Sequence, residues 1–147
     1  MDAIVAKIRK NSREDVWITR GAYQGRETVH VRIYFRDADG SHPTRKGIAI
    51  DSIHLEELMS ALEKCVGGKV SQASPATVPK SQRERVHAYP ADFMGHSLVH
   101  LRVFFKDASD GRWKPSNRGV ALKPELLPDL IAALKAAGAV AVERIRQ

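Results

Sequence analysis

The chain has one cysteine, Cys65, in 147 residues, so no internal disulfide can form. That usage fits a reducing compartment, and Cys65, near the end of a predicted helix, reads as a buried, inert thiol. Aromatic residues are scarce at 6%, so any cluster of them calls for a reason. No apolar run approaches the roughly 18 residues a membrane-spanning helix needs. The start, "MDAIVAKIRK", has an acid at position 2 and no long apolar core, so no signal peptide is expected. No nucleophile elbow, phosphate loop or paired-carboxylate motif occurs, and an enzyme is not expected. The histidines His30, His42, His54, His87, His96 and His100 are not spaced as metal ligands and read as surface or phosphate-contacting imidazoles. "DADG" lacks the spaced acids of a calcium loop and reads as a turn. Neither a metal nor a cofactor is expected.

Acids are also in deficit. The net charge is +7 with a pI near 9.8, and the excess is uneven. Residues 1–70 carry 12 Lys/Arg against 10 Asp/Glu, and residues 71–147 carry 12 against 7. Such a balance favours a polyanionic partner.

What the chain does have is one unit written twice. With a shift of 70, "REDVWITRGAYQGRETVHVRIYFRDA" lies over "RERVHAYPADFMGHSLVHLRVFFKDA". Arg13, Glu14, Val16, Gly25, Val29, His30, Arg32, Phe35, Asp37 and Ala38 then meet identical residues. After a two-residue slip in a loop, "RKGIAIDSIHLEELMSAL" lies over "NRGVALKPELLPDLIAAL". Insertions of that kind belong in loops. The predicted division is a first repeat over 1–66, a linker over 67–82 and a second repeat over 83–147. The segment "ATVPK" inside the linker can instead open the second copy as a short edge strand.

Each copy reads as strands followed by a helix. The strands are Val16–Thr19 and Val86–Tyr89, then Thr28–Arg36 and Leu98–Lys106, then the Gly-Ile-Ala-Ile and Gly-Val-Ala-Leu runs. Residues 4–9 read equally as a further strand or a short helix. Asp51 or Ser52 can cap the first helix, whose apolar stripe is Leu55, Leu58, Met59 and Leu62. Pro124 suits the start of the second, with stripe Leu127, Leu130, Ile131 and Leu134, and Gly138 is expected to end or fray it. A sheet followed by one amphipathic helix buries one face of each. Two such units in one chain can pair about a pseudo-twofold axis.

The long strand sets the chemistry. Val29, Val31, Ile33 and Phe35 alternate with His30, Arg32, Tyr34 and Arg36, so one face is apolar and the other basic and aromatic. The second copy repeats this with His100, Arg102, Phe104 and Lys106. Cations interleaved with flat rings suit single-stranded nucleic acid, which offers phosphates and unstacked bases. Trp113, in the following turn, can stack on a base or cover the sheet edge.

The basic-aromatic strand, the acidic-Gly turn and "RKGIAI" running into a leucine-striped helix resemble the positive cofactor four family. Its members are transcriptional coactivators, and bacterial relatives, that bind single-stranded DNA. The resemblance covers about Val16–Leu62 and Val86–Leu134. It implies an α+β fold: two tandem copies of a curved antiparallel sheet followed by a C-terminal helix (ββββα), paired as an intramolecular pseudo-dimer. It implies contacts from Tyr23 and Phe93 before the hairpin glycine, and from Arg26, which becomes His96, after it. It also implies Arg32 and Arg102 in mid-strand, Phe35 and Phe105 at the strand end, and the pair Arg45 and Lys46. In the second copy that pair becomes Asn117 and Arg118, with Lys114 upstream. Strand parity instead puts Tyr34 and Phe104 on the basic face, and both readings hold only with a bulge near the strand end. The serine-rich acidic tail of eukaryotic members is missing. Purine-rich-element-binding proteins share a similar tandem plan.

The expected function is sequence-tolerant binding of single-stranded DNA in transcription or in DNA repair and recombination. The alternatives are RNA binding or a protein-interaction module for a transcription or repair factor. The expected setting is intracellular, at the nucleoid of a bacterium or in a eukaryotic nucleus, with no membrane partner and a monomeric pseudo-dimer as the working unit.

Overall fold

A computed structural model describes the backbone of residues 2–146 and the side chains of residues 2–139. The chain forms two four-stranded antiparallel sheets in simple strand order. The first holds β1 (Ala3–Arg9), β2 (Glu14–Tyr23), β3 (Arg26–Asp37) and β4 (Gly40–Asp51), followed by α1 (Leu55–Val66). The second holds β5 (Ala76–Pro79), β6 (Glu84–Phe93), β7 (His96–Lys106) and β8 (Trp113–Leu122), followed by α2 (Leu127–Arg146). This is the duplicated ββββα plan. Residues 4–9 are a strand, and 76–79 pair with β6 from inside the stretch read as linker.

Alternation explains the sheets. Val16 and Ile18 of β2 face Ile33 and Val31 of β3, and Ile48 and Ile50 of β4 complete an apolar face. All are buried to within 2%. Val86, Val99, Leu101, Val103, Val120 and Leu122 repeat this in the second sheet, and one continuous core joins both halves. A fully buried aliphatic side chain contributes about 1.5–3 kcal/mol.

Helix boundaries follow local chemistry. The Asp51 carboxylate accepts a hydrogen bond from the Ile53 amide at 3.2 Å, capping a short 3-10 turn that leads into α1. Pro124 opens the matching turn before α2. Gly68, at φ 70°, closes α1 in the left-handed region. Gly138 neither ends nor frays α2, which runs on to Arg146. A Cβ there would sit 3.6 Å from Leu55 Cδ1, an ordinary van der Waals contact, so the position accepts a glycine without requiring one.

The helices are exchanged between repeats. α1 lies against α2 and against β5 and β6 of the second sheet, while α2 lies against β1 and β2 of the first. The expectation that each helix covers its own sheet is therefore corrected. Leu58 and Leu62, and Leu130 and Leu134, carry no exposed surface in this arrangement. Cys65 is buried beside them, and burial pushes its thiol pKa up. The edge strands β4 and β8 also meet.

Candidate nucleic-acid interface

The β2–β3 and β6–β7 hairpins turn through two residues with positive φ, Gln24 (52°) and Gly25 (75°), and Met94 (51°) and Gly95 (80°). Mirror-image turns of this kind match the right-handed twist of the flanking strands. They lift Tyr23 and Phe93 into solvent, 68% and 58% exposed, with Arg26 and His96 directly opposite them in register.

Arg32 and Arg102 lie mid-sheet opposite Gly47 and Gly119. Arg32 Nη1 donates to the Thr44 carbonyl at 2.8 Å, and Thr44 Oγ1 donates to the Ile33 carbonyl at 2.7 Å. Register then jumps: Arg32 pairs with Gly47 but Tyr34 with Pro43, and Arg102 with Gly119 but Phe104 with Pro115. The irregularity thus lies in β4 and β8, not in the long strands. It throws out Arg45 and Lys46, and Asn117 and Arg118. Close strand approach makes glycine matter here. A Cβ on Gly119 would sit 2.7 Å from the Leu101 carbonyl oxygen, whereas one on Gly47 first meets the mobile end of Arg32 at 2.8 Å. Gly119→Ala is expected to cost about 1–3 kcal/mol in urea denaturation, and more than Gly47→Ala.

With β3 and β7 regular, Phe35 and Phe105 keep the parity of the apolar face, so the bulge that would have put both ring pairs on one face does not occur there. They emerge past the buried core, 41% and 38% exposed. Phe35 tilts against His42 with centroids 4.9 Å apart. Tyr34 and Phe104 do face the basic side, but each is already stacked. Tyr34 lies on Trp17 at 3.9 Å, with Lys7 Nζ 4.2 Å above the indole. Phe104 lies on His87 at 3.7 Å. Trp113 sits under the Arg85 guanidinium at 4.2 Å.

His87 corrects the reading of the histidines as surface groups. It is buried, and Arg85 Nε donates to its Nε2 at 2.7 Å. Burial, reinforced by the Arg85 charge, pushes its pKa down to about 4. A histidine whose folded pKa lies below its unfolded value contributes stability at neutral pH that is lost as pH falls from about 6.5 toward 4. The loss amounts to about 3 kcal/mol. His87→Phe is expected to flatten that part of the stability curve in urea melts at pH 7 and pH 4. His30 and His100 are also held below the usual histidine range, by burial first.

Several basic residues are spoken for. Arg36 pairs with Asp15 at 3.0 Å and donates to the Asn11 carbonyl at 2.8 Å. Lys114 pairs with Asp107 and Asp110, and Arg118 with Glu84. Arg26, Arg45, Lys46 and Lys106 are exposed and make no ion pair among the described residues.

Part of this set lines two grooves, each built from both repeats, while Tyr34, Phe35, Arg36, Phe104, Phe105, Lys106, Trp113 and Lys114 line neither. One runs over the first sheet past Tyr23, Arg26, His30, Arg32 and Arg45, in adjoining cavities of about 540 and 350 Å³, and is walled by Lys80, Val103 and Arg118 of the second repeat. The other, about 270 Å³, runs over the second sheet past Phe93, His100, Arg102 and Asn117, and is walled by Lys10, Ile33 and Lys46 of the first. The lining residues correspond pairwise, so the pseudo-twofold axis relates the grooves. Lys10 and Lys80 are not among the residues expected from sequence, although the shift of 70 aligns them three residues before the matched segment begins. Among the described residues no cluster of His, Cys, Asp and Glu could hold a metal ion, and no helix is long and apolar enough to cross a membrane.

A duplicated sheet-and-helix module with paired basic, aromatic grooves defines the class. The family model described as Transcriptional Coactivator p15 (PC4) matches residues 10–61 and again 79–133, and the chain belongs to that family as a tandem repeat. No curated protein matches the chain.

Proposed function

We propose that the chain binds single-stranded DNA in these two grooves, without catalysis, as a transcriptional coactivator. The observation that carries this is the composite lining: an exposed hairpin ring, a mid-sheet arginine and cations from the other repeat stand along one path in each groove. Rings that take a base contribute about 1–3 kcal/mol per base with little sequence preference, and cations follow the phosphates. Tyr34 and Phe104, engaged by Trp17 and His87, serve as structural stacks. Phe35 and Phe105 keep the parity of the opposite face and line neither groove, so Tyr23 and Phe93 at the hairpin turns are the rings left to take a base. A family role in coactivation favours transcription over repair, with transcription proteins as further partners.

The test is fluorescence anisotropy with a labelled 20-mer as single-stranded DNA, as duplex and as RNA, each at 50 and 200 mM salt. Tight single-strand binding and much weaker duplex binding are expected, with a log–log salt slope of about −0.7 per phosphate contact. Tyr23→Ala with Phe93→Ala is expected to weaken binding about tenfold or more while leaving the fold intact. Equal binding of all three ligands, vanishing at 200 mM salt, would reduce the grooves to a basic surface.

A further inference from the structure

Lys10 and Lys80 hold the same place in the two repeats, as do Glu14 and Glu84, and Lys46 and Arg118. In the second repeat the Glu84 carboxylate joins the other two. Lys80 Nζ lies 3.4 Å from one of its oxygens, and Arg118 donates to the other. In the first repeat Lys10 Nζ lies 3.2 Å from Glu14, and Asn11 donates to the same oxygen at 2.9 Å. The Lys46 charge also acts on this carboxylate. Each repeat therefore gathers two cations around one acid, with one positive charge in excess.

Each trio lies beside the groove of the opposite repeat. Lys80 lines both cavities of the first-sheet groove and Arg118 lines one, although both belong to the second repeat. Lys10 and Lys46 line the second-sheet groove in the same way. The strands that carry Lys46 and Arg118, β4 and β8, meet at the seam between repeats, which brings each trio across. The acids stay outside. Glu84 lines neither groove, and Glu14 lines a separate cavity with Phe35 and Arg36.

We propose that each trio is a phosphate clip for the opposite repeat. Lys80 and Arg118, anchored on Glu84, take one backbone phosphate of a strand in the first-sheet groove. Lys10 and Lys46, anchored on Glu14, take one in the second. This rests on the reading that the grooves bind single strands, and adds that a strand in either groove bridges both repeats. Two cations on one phosphate make charge-assisted hydrogen bonds, stronger than those between neutral groups. Long side chains lose rotamer freedom when they grip a ligand, and the carboxylate has already removed part of that freedom. Glu14 and Glu84 act through the cations and are positioning residues. Linkage then runs both ways: the strand tightens the pairing of the repeats by the factor by which that pairing tightens the strand.

Two backgrounds separate the grooves. Phe93→Ala with Arg102→Ala leaves the first-sheet groove, and Tyr23→Ala with Arg32→Ala leaves the second. Each is titrated with a labelled ten-residue oligothymidylate between 50 and 300 mM salt. In the first background, Lys80→Ala with Arg118→Ala is expected to weaken binding about tenfold at 50 mM salt. It should also flatten the log–log slope by about 0.7, the contribution of one phosphate. Lys10→Ala with Lys46→Ala, on the repeat that carries the working groove, should weaken binding by about threefold at most, through screened long-range charge alone. In the second background the order reverses, which also shows each substituted chain to be folded. Glu84→Ala should weaken binding about threefold in the first background and less in the second, because freeing two long side chains outweighs losing an acid outside the groove. A clip that acts on its own repeat's groove, or equally on both, would overturn the proposal. So would a Glu84→Ala chain that binds more tightly in the first background, or equally weakly in both. An intact chain that fails to bind oligothymidylate at 50 mM salt would instead overturn the single-strand reading itself.

Discussion

A single cut in the segment 67–75 is expected to leave the two halves bound to each other, melting in one transition at nearly the temperature of the intact chain. The reason is the helix exchange. α1 belongs by sequence to the first repeat but packs on β5 and β6, and α2 packs on β1 and β2. Separating the halves would strip Leu55, Leu58, Ala61 and Leu62 from one sheet and Leu127, Leu130 and Leu134 from the other. Exposing even a few such side chains costs about 1.5–3 kcal/mol each, comparable in sum to the whole stability of a small domain. Residues 1–75 produced alone should therefore associate as a homodimer, each copy's α1 covering the other's sheet. Size-exclusion chromatography with light scattering would show it, with a melting temperature that rises with concentration. A monomeric fragment as stable as the intact chain would contradict the exchange.

The second large effect concerns Arg32 and Arg102. Replacing both by alanine is expected to weaken single-strand binding at least about 100-fold in anisotropy at 50 mM salt, with the fold retained. Each stands in the floor of one groove, half-buried, so its contact with a phosphate or base is shielded from bulk water. Hydrogen bonds to a charged group contribute about 1.5–3 kcal/mol, and tenfold in affinity corresponds to about 1.4 kcal/mol. Arg32 also approaches its ligand pre-positioned, because Thr44 already holds one arm of the guanidinium. Nearly normal binding by a folded double variant would remove the grooves from consideration.

Much of this is legible in the amino-acid sequence. Alternation in β3 and β7 places Val29, Val31 and Ile33 in the core and Arg32 on the opposite face, because strand parity is local physics. The duplication implies the pseudo-twofold plan, and Asp51 and Pro124 mark the helix starts. The helix exchange is not legible, since an apolar stripe states that a helix is covered but not by which sheet. The fate of Tyr34 and Phe104 is hidden for a related reason. Parity gives a ring its face, whereas its stacking on Trp17 or His87 depends on a diagonal neighbour in another strand. α2 runs through Gly138 because glycine's cost in a helix, about 1 kcal/mol, is small beside the burial of Leu130, Leu134 and Ala137 in the same helix. Lys10 and Lys80 are in plain view, but nothing in a linear repeat says that each serves the other copy's groove.

The exchange also bears on how the chain is made. A ribosome delivers residues from the N-terminus, and multidomain chains generally fold unit by unit as they emerge. Here the first sheet can form early, yet its apolar face, with Ile8, Val16 and Ile18, has no cover until residues beyond Leu127 have been synthesised. The helix that follows the first sheet is reserved for a partner not yet translated. The nascent first half is thus born sticky. Two neighbouring chains on one messenger could trade helices before either is complete. The short segment 67–75 therefore matters kinetically, because it keeps the right second half nearest.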